Sequence, residues 1–400
     1  HSGMGFGKAK KNLDRKLSAV QDLLRRQNHS DLSSAEERFT RRREEEQDAA
    51  EEARRRRAFM PITVRENLQW EEVSRIEVNA PDLPGISIDV GQSRYYPNGE
   101  IAAHVVGYVS AVSEKDLTGD PLLELPGHRI GKNGIERQHE IALRGTAGNS
   151  QVEVNAIGRI IKELKRTEGR PGRRVVLTLN LNLQKFITQR IARYRRASVV
   201  VMDVRSGEIL SMVSIPAFDP NSFNTGLDVK SWKALAENSD APLNNKAISG
   251  QYAPGSTYKI AVMLAALEHG ISPDHNVFCA GFSELGGQRF HCWHKQGHGL
   301  VSMIDAMRES CDVYFYELAL KLGVDRIAKT ARKLGLGETL DLKLPGEMGG
   351  LIPTRAWKQE HFGKSWLKGE TLVVAIGQGY VLTTPLQLAV MTARCVNGGY

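Results

Sequence analysis

The stretch from Ser256 to His269 constrains this chain's fold more than any other. Gly255-Ser256-Thr257-Tyr258-Lys259 leads straight into a long apolar run. The pattern predicts a helix with Ile260, Met263, Leu264 and Leu267 buried, closed by Gly270. A helix turns once in about 3.6 residues, so a spacing of three sets the Ser256 hydroxyl and the Lys259 amine on one face. A serine alcohol is a poor nucleophile until its proton is taken, and a partly desolvated lysine can take it. Near a helix N-terminus the dipole also favours developing negative charge. Alone, this spacing is more often a surface serine beside a solvated lysine.

A second element raises its meaning. Ser310-Cys311-Asp312 lies between an amphipathic stretch, Met303 to Met307, and the apolar Tyr314-Phe315-Tyr316. S-x-x-K followed by a Ser-x-Asn-like element is the order found in penicillin-interacting serine enzymes. Further segments carry the likeness: Tyr252-Ala253-Pro254-Gly255, Gly297-His298-Gly299, Pro353-Thr354-Arg355-Ala356-Trp357-Lys358 and Gly377-Gln378-Gly379-Tyr380. Together they resemble the penicillin-binding protein 2 family, the class B D,D-transpeptidases of bacterial wall elongation. Upstream, Arg94-Tyr95-Tyr96-Pro97, Gly134-Ile135-Glu136 and Val152-Glu153-Val154-Asn155 resemble that family's non-catalytic pedestal, so the likeness runs from about Pro61 onward.

The resemblance implies an α+β fold: a penicillin-binding, β-lactamase-like transpeptidase domain of antiparallel sheet and helices, preceded by an elongated mixed α/β pedestal. It implies serine acyl transfer on D-Ala-D-Ala stem peptides of peptidoglycan, with β-lactam antibiotics acylating the same serine. The roles carried over are Ser256 as nucleophile, Lys259 as its base, kept neutral by burial or positive neighbours, and Ser310 as proton relay to the departing D-alanine. Asp312 stands where most relatives of the wider superfamily carry Asn; ionised, it accepts hydrogen bonds but cannot donate an amide N–H. A third element, Lys-Thr/Ser-Gly, does not occur before Tyr400. The natural chain is expected to continue into that strand, and these residues without it are not expected to turn over substrate. A β-lactamase and a non-catalytic scaffold or β-lactam sensor are the alternatives. The long pedestal argues against the first, and the intact Ser/Lys pair against the second as a sole role.

Composition sets the outer limits. A chain of 400 residues, 41% apolar and 25% charged, has the make-up of a globular protein of two or three domains. A net charge of +8 fits a basic face near an anionic membrane or wall polymer, and no aromatic-interleaved basic motif or finger spacing supports nucleic acid. No apolar stretch reaches the 18 or so residues a bilayer needs, and His1-Ser2-Gly3-Met4 has the form of a tag remnant. Because the family begins with one membrane-spanning helix, the expected location is the periplasmic face of the bacterial inner membrane, with that anchor missing from this chain.

Residues 8 to 60 are densely charged and helical in pattern, with a capping box at Ser34 and Glu37 and arginine runs at 41–43 and 54–57. They read as an exposed charged helix. In the family this head region meets scaffold proteins of the elongation machinery, which makes a partner contact the second reading, and the resemblance implies a membrane glycosyltransferase as a further partner of the pedestal. Beyond it, Asn67 to Ile76 reads as helix, Gly85 to Val90 and His104 to Val109 as strands, and Gly131 to Leu143 as a turn into a helix. Gln151 to Asn155 and Ile160 to Leu164 read as a hairpin across residues 156–159. His104 and His139 read as packing or surface residues. Thr167 to Gly172 is the domain boundary, giving a pedestal at 1–168 and a transpeptidase domain at 169–400. There, Val175 to Leu179 reads as strand, Leu183 to Ile191 as helix, and Ser198 to Val204 with Glu208 to Ile215 as a hairpin.

Three of the four cysteines cluster around these motifs. Cys279, Cys292, His298 and Cys311 are separated by twelve, five and twelve residues, and three thiolates with one imidazole form a set typical of structural zinc. Members of the resembling family carry zinc beside the active site, with Asp or Cys, Asp or Cys, His and Cys at the matching positions. Disulfides in an oxidising periplasm and buried free thiols are the competing readings. His291 and His294 are lesser candidates, and Cys395 reads as core. Cys311 is the middle residue of the second motif, so zinc there would tether the Ser310/Asp312 loop to segment 279–298.

Overall fold

The computed structural model describes residues 64–399, apart from 67, 84, 89, 92, 126, 155–159 and 225. The charged stretch at 8–60, its expected capping box and the hairpin turn at 156–159 lie outside the described residues.

The pedestal portion starts with α1 (Trp70–Val78), whose Gln69 N-cap and Glu72 form a reciprocal capping pair. Helix α2 (Ala103–Val106) follows, then β1 (Val109–Ala111), β2 (Arg129–Gly131), α3 (Gly134–Gln138) and α4 (Glu140–Arg144). The strand expected at 85–90 does not form; Ile86 and Ile88 instead pack on Ile76 and Leu83. The strand expected at 104–109 is a helix to Val106 and a strand only from Val109, the usual ambiguity of a short apolar run. The expected hairpin is present as β3 (Asn149–Val154) antiparallel to β4 (Ile160–Thr167). Two of the family-like motifs meet: Arg94 Nε lies 3.0 Å from the buried Glu136 carboxylate, and the Tyr96 hydroxyl donates to the same group at 3.3 Å.

The second portion opens with α5 (Leu181–Ile191), capped by the Asn180 side chain. Strands β5 (Ala197–Met202) and β6 (Ile209–Ile215) form the expected antiparallel hairpin. Helices α6 (Pro220–Asn224), α7 (Val229–Ala236) and α8 (Lys246–Ser249) follow. The strand expected at 175–179 runs extended without a ladder; Thr178 Oγ1 donates to the Ile209 carbonyl and the Asn180 N–H to that of Leu210. Helix α5 packs against β6, and the C-terminal helix against β5, so helices cover both sides of the strand pair. Buried Gln184 fastens α5 with hydrogen bonds to the Met212 N–H, Met212 carbonyl and Ser211 hydroxyl, and also donates to Ile101 of the pedestal.

The nucleophile segment begins as a 3₁₀ turn, Gly255–Tyr258, and continues as α9 (Lys259–Glu268). Then come β7 (Val277–Cys279), β8 (Phe282–Leu285), β9 (Gln288–His291), β10 (Gly299–Val301), α10 (Met303–Arg308), α11 (Asp312–Leu322), α12 (Val324–Lys333), α13 (Arg355–Phe362), α14 (Lys368–Ala375) and α15 (Pro385–Val396). Helix α9 is enclosed by α10, α11 and α12. Its buried face is Lys259, Ala261, Val262, Ala265 and Ala266, and not the expected one. Ile260, Met263 and Leu264 are partly buried at the rim of the core, and Leu267 is exposed. Three alanines on the inner face let neighbouring helices approach closely. The space is filled by Tyr314, Phe315 and Leu318 of α11, all fully buried, each contributing roughly 1.5–3 kcal/mol of transfer free energy. Cys395 is exposed rather than core; α15 buries Leu386, Gln387, Met391 and Ala393 instead.

Candidate active site

Ser256 lies in the 3₁₀ turn and Lys259, three residues on, caps its end and opens α9, with its backbone N–H on the Ser256 carbonyl. Lys259 is 1% exposed. Its Nζ donates to Asp312 Oδ1 at 2.6 Å, to the Ser310 carbonyl at 2.8 Å and to Ser310 Oγ at 3.1 Å. Ser310 Oγ in turn donates to Ser256 Oγ at 2.8 Å. The residues expected to act together therefore converge: Ser256, Lys259, Ser310 and Asp312 form one connected set. Of the two means expected to keep Lys259 neutral, burial or positive neighbours, the burial is present, and the charged group beside it is the Asp312 carboxylate rather than a cation.

The local backbone explains how Ser310 reaches both partners. Helix α10 starts at Ser302, whose side chain caps it reciprocally with Asp305, and ends in a Schellman turn. The Cys311 N–H donates to the Ala306 carbonyl and the Ser310 N–H to that of Met307. The residue at the left-handed position of such a turn is usually glycine, yet here Ser310 holds φ +51°, at a cost of about 1 kcal/mol or more. That conformation turns its carbonyl and its hydroxyl toward Lys259 together. Asp312 is the first residue of α11, where the dipole favours its charge. Its Oδ2 accepts the Trp293 backbone N–H at 3.0 Å. Both carboxylate oxygens are thus taken by donors, the arrangement an ionised Asp suits and an Asn amide does not.

Cys279, Cys292, His298 and Cys311 also converge. One ligand atom from each lies within 4.8 Å of all the others, and the four cysteines carry no disulfide. Cys279 ends β7 directly opposite Gly299 of β10, which brings the preceding His298 alongside. Gly297 (φ +81°) permits this approach: a side chain there would meet the Cys279 carbonyl at 2.2 Å. His298 Nδ1 is 3.6 Å from both Cys279 Sγ and Cys292 Sγ. A tetrahedral ion with Zn–S near 2.3 Å and Zn–N near 2.0–2.1 Å has an N···S edge of about 3.6 Å, so these residues fit zinc. Burial, opposed by the Tyr314 backbone and reinforced by the Cys279 and Cys292 thiols, pushes the Cys311 thiol up to about 12. His291 and His294 are not in the cluster.

Two sets of contacts go beyond the motifs, although Trp357, Lys358 and Tyr380 of the second stand in segments quoted above. Trp293, beside Cys292, reaches into the Ser310 loop. Tyr380, Trp357, Phe362 and Trp366 form an aromatic group beside the ion pair of buried Lys358 with half-buried Glu370. An apolar tryptophan inside a polar, ligand-bearing loop was the available signal for the first; an aromatic in each of three nearby segments was the signal for the second.

Comparison with known proteins supplies a context for this geometry. Residues 197–400 match the family of the penicillin binding protein transpeptidase domain, and residues 7–177 match the penicillin-binding protein dimerisation domain. The peptidoglycan D,D-transpeptidase MrdA of Escherichia coli K12 is 40% identical over 349 residues, covering 85% of this chain and 55% of the relative. That of Acinetobacter baumannii is 39% identical, covering 84% and 51%. The chain therefore spans about half the length of these curated relatives. Among solved structures, penicillin-binding protein PBP2 of Helicobacter pylori in complex with MreC superposes with a TM-score of 0.78 at 33% identity, covering 84% of this chain and 63% of that one. PBP2 of Pseudomonas aeruginosa in complex with WCK 5153 superposes with a TM-score of 0.67 at 38% identity, covering 78% and 66%.

Proposed function

This chain belongs to the penicillin-binding protein transpeptidase family, and from that premise we propose that it performs the acyl-transfer chemistry of a peptidoglycan cross-linking D,D-transpeptidase in cell elongation. The observation that carries the reading is the position of Ser310 Oγ, within hydrogen-bond distance of both Ser256 Oγ and Lys259 Nζ. Ser256 Oγ attacks the penultimate D-alanyl carbonyl carbon of a stem peptide. Its proton passes along the Ser310 hydroxyl to Lys259 in its neutral amine form, and Asp312 Oδ1 holds the ammonium that this regenerates. The carbon–nitrogen bond to the terminal D-alanine breaks, and the proton returns through Ser310 to the leaving amine. An amine from a neighbouring stem then attacks the ester, forms the cross-linking amide and releases Ser256. A β-lactam acylates the same oxygen and stays attached.

Further parts of the reading concern cofactor and setting. Cys279, Cys292, His298 and Cys311 would hold a structural zinc ion, which supplies folding free energy and no reactive group. Through Cys311 it would tether the second motif to segment 279–298. Metal analysis of the purified protein and its melting temperature with and without a chelator test this. Zinc near one equivalent and a melting point lowered by chelation are expected; unchanged stability and acylation would refute the tether. The pedestal is proposed to meet an elongation scaffold protein and the membrane glycosyltransferase, on the periplasmic face of the inner membrane. Among the described residues, no helix is long and apolar enough to cross a membrane.

Labelling the full-length protein with a fluorescent penicillin decides the central claim. A lasting adduct located at Ser256 by mass spectrometry is expected, and Ser256→Ala abolishes it. Absence of an adduct would leave a scaffold or sensor, and loss of label within seconds to minutes would indicate a β-lactamase.

A further inference from the structure

Trp293 makes two hydrogen bonds that reach opposite ends of the Ser310 turn. Its indole Nε1–H donates to the Glu309 carbonyl at 3.0 Å, and its backbone N–H donates to Asp312 Oδ2 at 3.0 Å. Glu309 caps the C-terminus of α10, where the last carbonyls lack intrahelical donors; Asp312 opens α11. The two contacts therefore span a turn whose central residue, Ser310, sits in the left-handed region. A strained conformation persists only where its surroundings over-determine it. On the other side, the indole ring meets His298 edge-to-face at 5.5 Å and lies 5.5 Å from His294. Trp293 is 61% exposed, so it gains little from burial, and its polar contacts are what hold it in place.

We propose that Trp293 is a positioning residue that latches the Ser310 turn from both ends, so that Ser310 and Asp312 meet Lys259 in the reactive arrangement. The Asp312 carboxylate is fixed between Lys259 and the Trp293 N–H, and the carbonyl before Ser310 is fixed by the indole. Without the indole bond, the turn relaxes toward a conformation with negative φ at residue 310, and the Ser310 hydroxyl leaves the line between Ser256 and Lys259. This inference rests on the reading of Ser256 as the nucleophile.

Trp293→Phe in the full-length protein tests it, because the ring and the backbone N–H remain and the Nε1–H is lost. Stopped-flow acylation by a fluorescent penicillin separates the noncovalent dissociation constant from the acylation rate constant. The loss of one hydrogen bond predicts an acylation rate constant lower by roughly fivefold to tenfold, with the dissociation constant unchanged and the melting temperature within a few degrees. Amide exchange across residues 309–312 should quicken in the variant. An unchanged rate constant with unchanged exchange overturns the latch, and so does an effect confined to the dissociation constant, which would make the indole a ligand contact. Wild-type protein that never labels at Ser256 would instead overturn the catalytic reading on which the latch rests.

Discussion

Ser310 Oγ donates to Ser256 Oγ at 2.8 Å, and the same oxygen accepts from Lys259 Nζ at 3.1 Å. The second motif's serine therefore lies on the hydrogen-bonded path between nucleophile and amine. Ser310→Ala removes that path and leaves the fold, because the Schellman bonds of the turn are made by backbone groups. Acylation should slow by about 100-fold or more, the usual span of a lost proton-transfer group, while far-ultraviolet dichroism stays the same. A rate within threefold of wild type, measured by penicillin labelling, would show that Lys259 serves Ser256 directly.

Asp312 links the pair to the neighbouring loop. Its Oδ1 takes the Lys259 ammonium and its Oδ2 the Trp293 N–H. In Asp312→Asn, one of these two donors would face an amide NH₂. The buried lysine also loses its counter-charge, and breaking such a pair costs about 3–5 kcal/mol. Thermal denaturation should shift down by several degrees and acylation should slow at least tenfold. Wild-type stability in this variant would mean that the ion pair is not what holds Lys259.

Much of this site was legible in the sequence, and the reasons are physical. Ser256, Lys259, Ser310 and Asp312 lie in short motifs whose spacing fits single turns, and the ligand set at 279, 292, 298 and 311 needs only residue types to be noticed. Faces were harder to read. Helix α9 turns alanines inward because its neighbours approach closely, and no periodicity in an almost wholly apolar run could reveal that. The segment from Ala103 to Ala111 divides between helix and strand at Gly107, a division set by tertiary packing rather than by propensity. Trp293 was missed because its role depends on two segments that are distant in the chain.

His104 offers a pH test of the junction between the two portions. It is buried, donates from Nε2 to the Pro242 carbonyl at 2.7 Å and packs edge-on against Phe218. Burial lowers its pKa to about 4, against an opposing pull from Pro242. The folded value lies below the unfolded one, near 6.5, so this contribution is fully present above pH 6.5. As pH falls from about 6.5 to 4, the unfolded chain takes up a proton that the folded chain refuses, and up to about 3 kcal/mol is lost. Melting temperatures measured between pH 7.5 and 4.5 should fall less steeply in His104→Gln, whose amide can still donate to Pro242 without titrating. Parallel curves for the two proteins would place His104 outside the acid sensitivity.

Gly377 supports the nucleophile from the opposite side. Helix α14 ends in its own Schellman turn, with the Gly377 N–H on the Val374 carbonyl and the Gln378 N–H on that of Val373. Here the left-handed position, φ +69°, is held by glycine, in contrast to Ser310. The reason lies in the neighbour. A side chain at 377 would meet the Gly255 carbonyl oxygen at 2.1 Å and its nitrogen at 2.7 Å, and the Gly255 N–H donates to the Gly377 carbonyl at 2.9 Å. Gly377→Ala must therefore push back the residue immediately before Ser256 as well as bear the left-handed strain. Gly363→Ala is the control, since that position has φ +62° and open space around it. The control should lose about 1 kcal/mol of stability and acylate normally. Gly377→Ala should lose at least about twice as much stability and also acylate more slowly. Equal behaviour of the two variants would mean that the contact at Gly255 does not position the nucleophile.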